Sequence, residues 1–158
     1  MTDSIVNRQP SAFSIWILVP GCRRPFIGIL LIPCLFSCSS GNTKYQQYFA
    51  QGQALYERNC SNCHQKNGKG LGLVYPPLAP SDFLDKNFSA SLCLMKYGNR
   101  GEISVNGNTF NKPMPGVPSL TELEIAEIGT YIYNSWGRDR GVVEIHEVKL
   151  ALDECGPK

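Results

Sequence analysis

Cys60, Cys63 and His64 stand together in the run Cys60-Ser61-Asn62-Cys63-His64. Two thiols three positions apart lie about one helical turn apart, on the same side of the backbone. An imidazole follows at once. Such a set suits three kinds of chemistry. A redox-active dithiol would stand in a βαβ context, and here the flanking segments carry Gly, Asn and Pro instead of strands. A structural zinc site closes with four ligands, and the chain has no second Cys/His pair at metal spacing. The third is covalent attachment of a c-type haem, whose two vinyl groups take one thiol each and whose iron takes the histidine. The spacing points to the third: one haem c, bonded to Cys60 and Cys63, with His64 on the proximal side.

A second axial ligand would come from few residues. Met114 sits in Asn111-Lys112-Pro113-Met114-Pro115-Gly116. The flanking prolines restrict its backbone, and a thioether favours the reduced metal. Met95 falls in an expected helix beside Leu92 and Leu94, where filling the core is the more ordinary role for a methionine. His146 falls near the C-terminus, where a surface place is expected. Met114 is the reading adopted; Met95, His146 and an open site are the alternatives.

The elements around these residues follow from the rest of the chain. Arg23 and Arg24 precede an apolar run of 11 residues, Phe26 to Phe36. That is short for a bilayer span and typical of a signal-peptide core. Leu35-Phe36-Ser37-Cys38 then resembles the bacterial lipobox, in which the cysteine becomes the lipidated first residue. The alternative is an ordinary signal with Cys38 a bystander. Residues 1–37 are thus expected to be a lipoprotein signal, and 38–44 a flexible linker from the lipid anchor. Of the 15 Lys+Arg and 13 Asp+Glu, the leader removes Arg8, Arg23, Arg24 and Asp3, leaving 12 of each. A neutral chain without a basic run gives no footprint for nucleic acid. Cys22 and Cys34 leave with the leader. Cys93 and Cys155 remain, and in an oxidising compartment they most simply pair, closing a loop of about 60 residues worth at most ~4 kcal/mol. Two buried free thiols are the alternative.

Residues 45–137 are expected to form one modest domain and 138–158 an extension packed on it. Helical periodicity predicts a first helix from about Lys44 to Asn59, with Gly52 inside it as a sign of a crossing helix. Asn67 to Gly72 reads as loop, and Tyr75-Pro76-Pro77-Leu78 as a rigid extended turn. A second helix is predicted over Ser89–Tyr97, stopped by Gly98. Asn99 to Ser119 reads as a long loop with work to do, interrupted at most by a small hairpin around Glu102–Asn106. Thr121 and Glu124 make a capping-box pattern for a helix running to Trp136. A last short helix over Glu144–Asp153 would put Ile145, Val148, Leu152 and Cys155 on one stripe. The class is all-α.

These pieces together resemble class I (monohaem, His/Met) cytochromes c over about Tyr45 to Trp136. Gly52 and Tyr56 leading into Cys60-Ser61-Asn62-Cys63-His64 are similar to that family's N-terminal helix. Pro76 and Leu78 match its Pro-x-Leu, whose proline carbonyl accepts a hydrogen bond from the proximal histidine. Tyr131 matches the aromatic residue that packs across the glycine of the first helix. Gly98, then Gly107 to Met114, resembles the approach to the axial methionine. The resemblance implies three to four helices around one covalent haem, with Pro76, Leu78 and Tyr131 among the residues beside it. It says nothing of the extension past Trp136.

The expected role is a lipid-anchored, extracytoplasmic single-electron carrier facing the periplasm. It would exchange electrons with redox partner proteins, either as a shuttle or as an accessory subunit of a reductase, oxidase or dehydrogenase. A haem-based ligand sensor would need a weak or absent Met114 bond. A peroxidase-like enzyme would need a distal acid/base residue, which the chain does not offer near the motif.

Overall fold

The computed structural model describes residues 40–156; Cys38 and the leader, Cys22 and Cys34 included, lie outside them. The first helix, α1, is Ser40–Asn59. It starts before the expected Lys44, so Ser40 to Lys44 are helix and not linker. Contacts at its start give a reason. Lys44 Nζ lies 2.7 Å from a Glu144 carboxylate oxygen and 5.3 Å from the centroid of the Tyr48 ring. A half-exposed pair of this kind is weak, but it ties the start of α1 to Glu144.

After α1 come the single turn α2 (Ser61–His64), α3 (Asp82–Lys86) and α4 (Phe88–Tyr97). Sequence periodicity does not reveal α3, which is too short for it. The Ser81 hydroxyl caps this helix by accepting from Leu84 N–H, as a serine at an N-cap does. The expected long loop is instead folded into two small antiparallel pairs. Strands β1 (Gly98–Asn99) and β4 (Met114–Pro115) pair with Asn99 opposite Met114. Strands β2 (Ile103–Val105) and β3 (Asn108–Phe110) form a hairpin. Its turn is Asn106-Gly107, with φ of 52° and 76°, the left-handed pair that such a two-residue turn requires. The hairpin therefore straddles the expected Glu102–Asn106 segment. Phe110 and Val105 turn inward, both 2% exposed.

Helix α5 is Glu122–Ile132, and its Thr121/Glu124 capping box is present in both directions. It stops four residues short of Trp136. The chain turns there, Trp136 takes a φ of 56°, and its ring packs edge-on against Tyr56 and Tyr131. Tertiary packing of one large side chain thus overrides the helical period. Helix α6, Ile145–Cys155, has its own capping box between Glu144 and Glu147. Its inner face is Val148 and Ala151, with Leu152 partly buried. Ile145, expected on that stripe, is 38% exposed, because it precedes the first buried turn.

The core is the crossing of α1 and α5, the largest contact in the fold. At Gly52 a Cβ would overlap the Glu127 carbonyl oxygen and lie 3.0 Å from Tyr131 Cβ. Only a hydrogen fits there. Tyr131 lies between Phe49, which it meets edge-on, and Tyr56, to which it is tilted, with both centroids at 5.2 Å. Helix α4 packs on α5 and α6 on the far side. Among the described residues, no helix is long and apolar enough to cross a membrane.

Candidate functional site

The C-terminal end of α1 delivers Cys60, and α2 places Cys63 and His64 one turn on. Backbone bonds from His64 N–H to Cys60 O (3.0 Å) and from Cys60 N–H to Tyr56 O (2.8 Å) hold this corner. The Tyr56 hydroxyl, on a fully buried side chain, donates to Gln65 O at 2.7 Å and ties the exit of α2 back to α1.

His64 is 8% exposed. Its Nδ1 lies 3.0 Å from the Pro76 carbonyl oxygen. A carbonyl only accepts, so Nδ1 carries the hydrogen and Nε2 keeps a free lone pair. Burial pushes the His64 pKa down, with the Pro76 bond acting in the opposite sense. The ring is therefore neutral near pH 7, the form a metal needs. Burial, helped by Cys63 nearby, pushes the Cys60 thiol up to about 11. A thiol held neutral in this way is no activated nucleophile.

Pro76 is itself held. Leu78 N–H and Ala79 N–H both donate to Gly68 O, at 2.7 and 3.0 Å. Arg138, beyond α5, spreads its guanidinium over the same segment. It donates to Leu78 O at 2.7 Å, Ser81 O at 3.1 Å and the Asp85 carboxylate at 2.8 Å. Sequence reasoning missed Arg138 entirely. Its partners, two backbone carbonyls and one carboxylate, lie 53 to 60 positions upstream, which no spacing rule flags.

Cys60, Cys63, His64 and Met114 line one apolar cleft that opens to solvent. Pro76 and Leu78 line it too, as do the apolar Leu84, Leu94, Met95, Val105, Phe110 and Ile132. A flat apolar macrocycle suits such walls, and two cysteines, a histidine and a methionine share them. Met95 also reaches the cleft, although it is only 7% exposed and belongs to the core cluster. His146 is exposed on α6. Tyr131, expected beside the cofactor, is not among the cleft residues. It is the α1–α5 packing residue, and its ring is engaged by Phe49, Tyr56 and Trp136. Cys93 and Cys155 are joined by a disulfide, Cα–Cα 6.4 Å, between α4 and α6.

Comparison with known proteins agrees with this geometry. The family model "Cytochrome c" matches residues 49–136. Cytochrome c-552 of Thermus thermophilus is 34% identical over 92 residues, which is 56% of this chain and 70% of that protein. The cytochrome c-552 of a second Thermus thermophilus strain matches at the same identity, with 62% of its length covered. The cytochrome c subunit of the quinone alcohol dehydrogenase of Gluconacetobacter polyoxogenes is 29% identical over 122 residues, 75% of this chain but only 25% of that subunit. With the family model spanning more than half of its length, the chain belongs to the cytochrome c family: it carries haem c covalently and serves electron transfer, not catalysis of its own.

Proposed function

We propose that the chain is an extracytoplasmic, membrane-tethered single-electron carrier, with haem c bonded to Cys60 and Cys63 and its iron held between His64 and Met114. The observation that carries this is that Cys60, Cys63, His64 and Met114 all line the same cleft. When bound, haem c supplies a one-electron couple. His64, neutral and oriented by Pro76, gives a strong nitrogen donor. Met114 gives a soft donor that favours the reduced state. The apolar walls keep water away. With both ligands in place no open position is left for a substrate. The tether is read from Leu35-Phe36-Ser37-Cys38 and residues 1–37 as leader, with 138–158 as an extension of the 45–137 domain.

Met114 is preferred to Met95 because it sits on a short strand at the cleft, flanked by Pro113 and Pro115, while Met95 is built into the core of α4. The test is the optical spectrum of the oxidised protein. Met114→Ala should abolish the sulfur-to-iron band and let carbon monoxide bind the reduced protein. Met95→Ala should keep the band. Loss of the band only in Met95→Ala, or rapid carbon monoxide binding by the unaltered protein, overturns the ligand assignment. For the tether, Cys38→Ala should release the protein from membranes; retention would sink that part. A second reading, a fixed subunit of a dehydrogenase, is favoured by the match to quinone alcohol dehydrogenase cytochrome subunits, which covers 75% of this chain.

A further inference from the structure

We infer that α6 and the Cys93–Cys155 disulfide brace the distal wall of the cleft, holding Met114 in place through the last turns of α4. The inference rests on reading Met114 as the distal ligand.

Helix α4 is gripped from two sides. On one side Cys93 is bonded to Cys155 of α6. Four residues on, the half-exposed Tyr97 stands beside Gly156, the residue that ends α6: a Cβ there would lie 3.4 Å from the Tyr97 hydroxyl. On the other side, the end of α4 carries the Met114 segment. The Met95 carbonyl accepts from Val117 N–H at 3.0 Å. Lys96 Nζ donates to the Leu120 carbonyl. Gly98 and Asn99 pair with Pro115 and Met114. The fit between the two backbones is close. Gly98 has a φ of 74°, and a Cβ there would overlap the Met114 carbonyl oxygen. A Cβ on Gly116 would come within 2.5 Å of the Tyr97 carbonyl carbon.

The Met114 segment is therefore only as steady as the end of α4. Helix α6 has 11 residues and buries Val148 and Ala151. A helix that short is marginal by itself and needs its packing. The cross-link supplies the fixed point, and the caps at Glu144 and Glu147 order the helix behind it. This gives the extension a task that the cytochrome c domain alone does not explain. Cys93, Cys155 and Tyr97 are positioning residues, acting on Met114 without touching it.

The test uses the haem-loaded protein and amide hydrogen exchange. In Cys93→Ser/Cys155→Ser, the Val117 amide should exchange at least about tenfold faster, while the Cys60 amide at the end of α1 changes by less than about twofold. The sulfur-to-iron band of the oxidised protein should be lost at a lower pH than in the unaltered protein. Tyr97→Ala, which leaves the cysteines alone, should move the same amide and the same band in the same direction. Equal acceleration of both amides would show a merely global stabilisation, and no change at Val117 would show no brace; either overturns the inference. If the unaltered protein lacks the sulfur-to-iron band, the ligand reading fails instead, and the selective exchange at Val117 still reports on the brace.

Discussion

Gly52→Ala should destabilise the protein strongly, although alanine is the better helix former. Within a helix the exchange alone would favour folding by about 1 kcal/mol. The new methyl, however, has nowhere to go. It would overlap the Glu127 carbonyl oxygen and stand 2.5 Å from its carbon, where ordinary contacts begin at 3.4 Å. The obstacle is backbone, so it cannot swing aside. Helices α1 and α5 must move apart at the crossing. A gap of ~0.5–1 Å already forfeits a quarter to a half of each dispersion contact along the seam. The Phe49–Tyr131 and Tyr56–Tyr131 ring pairs lie on that seam, and such pairs are worth ~0.5–1.5 kcal/mol each. Overpacking strain adds ~1–3 kcal/mol. Set against the helix gain, the net loss is about 1–3 kcal/mol.

Guanidinium unfolding of the haem-loaded protein, followed by far-ultraviolet circular dichroism, measures this directly. The midpoint should fall with little change in slope. Gly52→Ser should do at least as badly, since it carries the same Cβ. A Gly52→Ala protein as stable as the original, or more so, would refute the reasoning. It would mean that the close crossing does not govern how α1 and α5 pack, and that helix propensity decides.

Three further outcomes are expected. Arg138→Met should cost about 2–3 kcal/mol by the same assay, because hydrogen bonds from a charged donor are worth ~1.5–3 kcal/mol and the Leu78 carbonyl loses its guanidinium; a loss under about 0.5 kcal/mol would remove Arg138 from the support of Pro76. Gly98→Ala should weaken the sulfur-to-iron band without disturbing the haem attachment, since the Cβ collides with the Met114 carbonyl at a left-handed backbone position; an unchanged band would count against the pairing of β1 with β4. Asp82 accepts from Asn106 N–H at 2.7 Å, and that bond, first among its influences, holds its carboxyl below the ordinary 3.8. A lowered folded pKa adds stability above the unfolded value and loses it as pH falls, so Asp82→Asn should flatten the acid limb of a stability–pH profile and leave the alkaline limb alone.

Residues whose partners lie close in sequence were legible. The Cys60–His64 run, the Thr121/Glu124 cap and the stop at Gly98 are all local patterns, and local patterns survive in a linear reading. Gly52 was legible for a different reason: a glycine inside a helix costs stability unless something presses on it. The hairpin was misplaced although its signal was present, because Asn106-Gly107 demands the turn centre and the strands must then flank it. The end of α5 falls short of the expected Trp136 because that residue continues the helical period while its ring packs against Tyr56 and Tyr131. Helix α3 hides because five residues carry too little period. Arg138 carries no local signal because two of its three partners are backbone carbonyls, which every residue has, and the third, Asp85, lies 53 positions away.

The two walls of the cleft therefore depend on different kinds of information. The proximal wall is a chain of hydrogen bonds that ends on one charged residue: His64 to Pro76, the Pro76–Ser81 segment to Gly68, and that segment to Arg138. The distal wall is a contact between two stretches of backbone, Gly98 against Met114 and Gly116 against Tyr97, with few side chains involved. A polar chain of that sort tolerates no missing donor, since each buried carbonyl left unpaired costs ~1–3 kcal/mol. A backbone contact tolerates no added volume. It follows that substitutions on the proximal side should act by deletion and those on the distal side by insertion. Arg138→Met and Gly98→Ala are the two cases that separate these failures: the first should lower stability with the sulfur-to-iron band intact, the second should weaken the band at a smaller cost in stability.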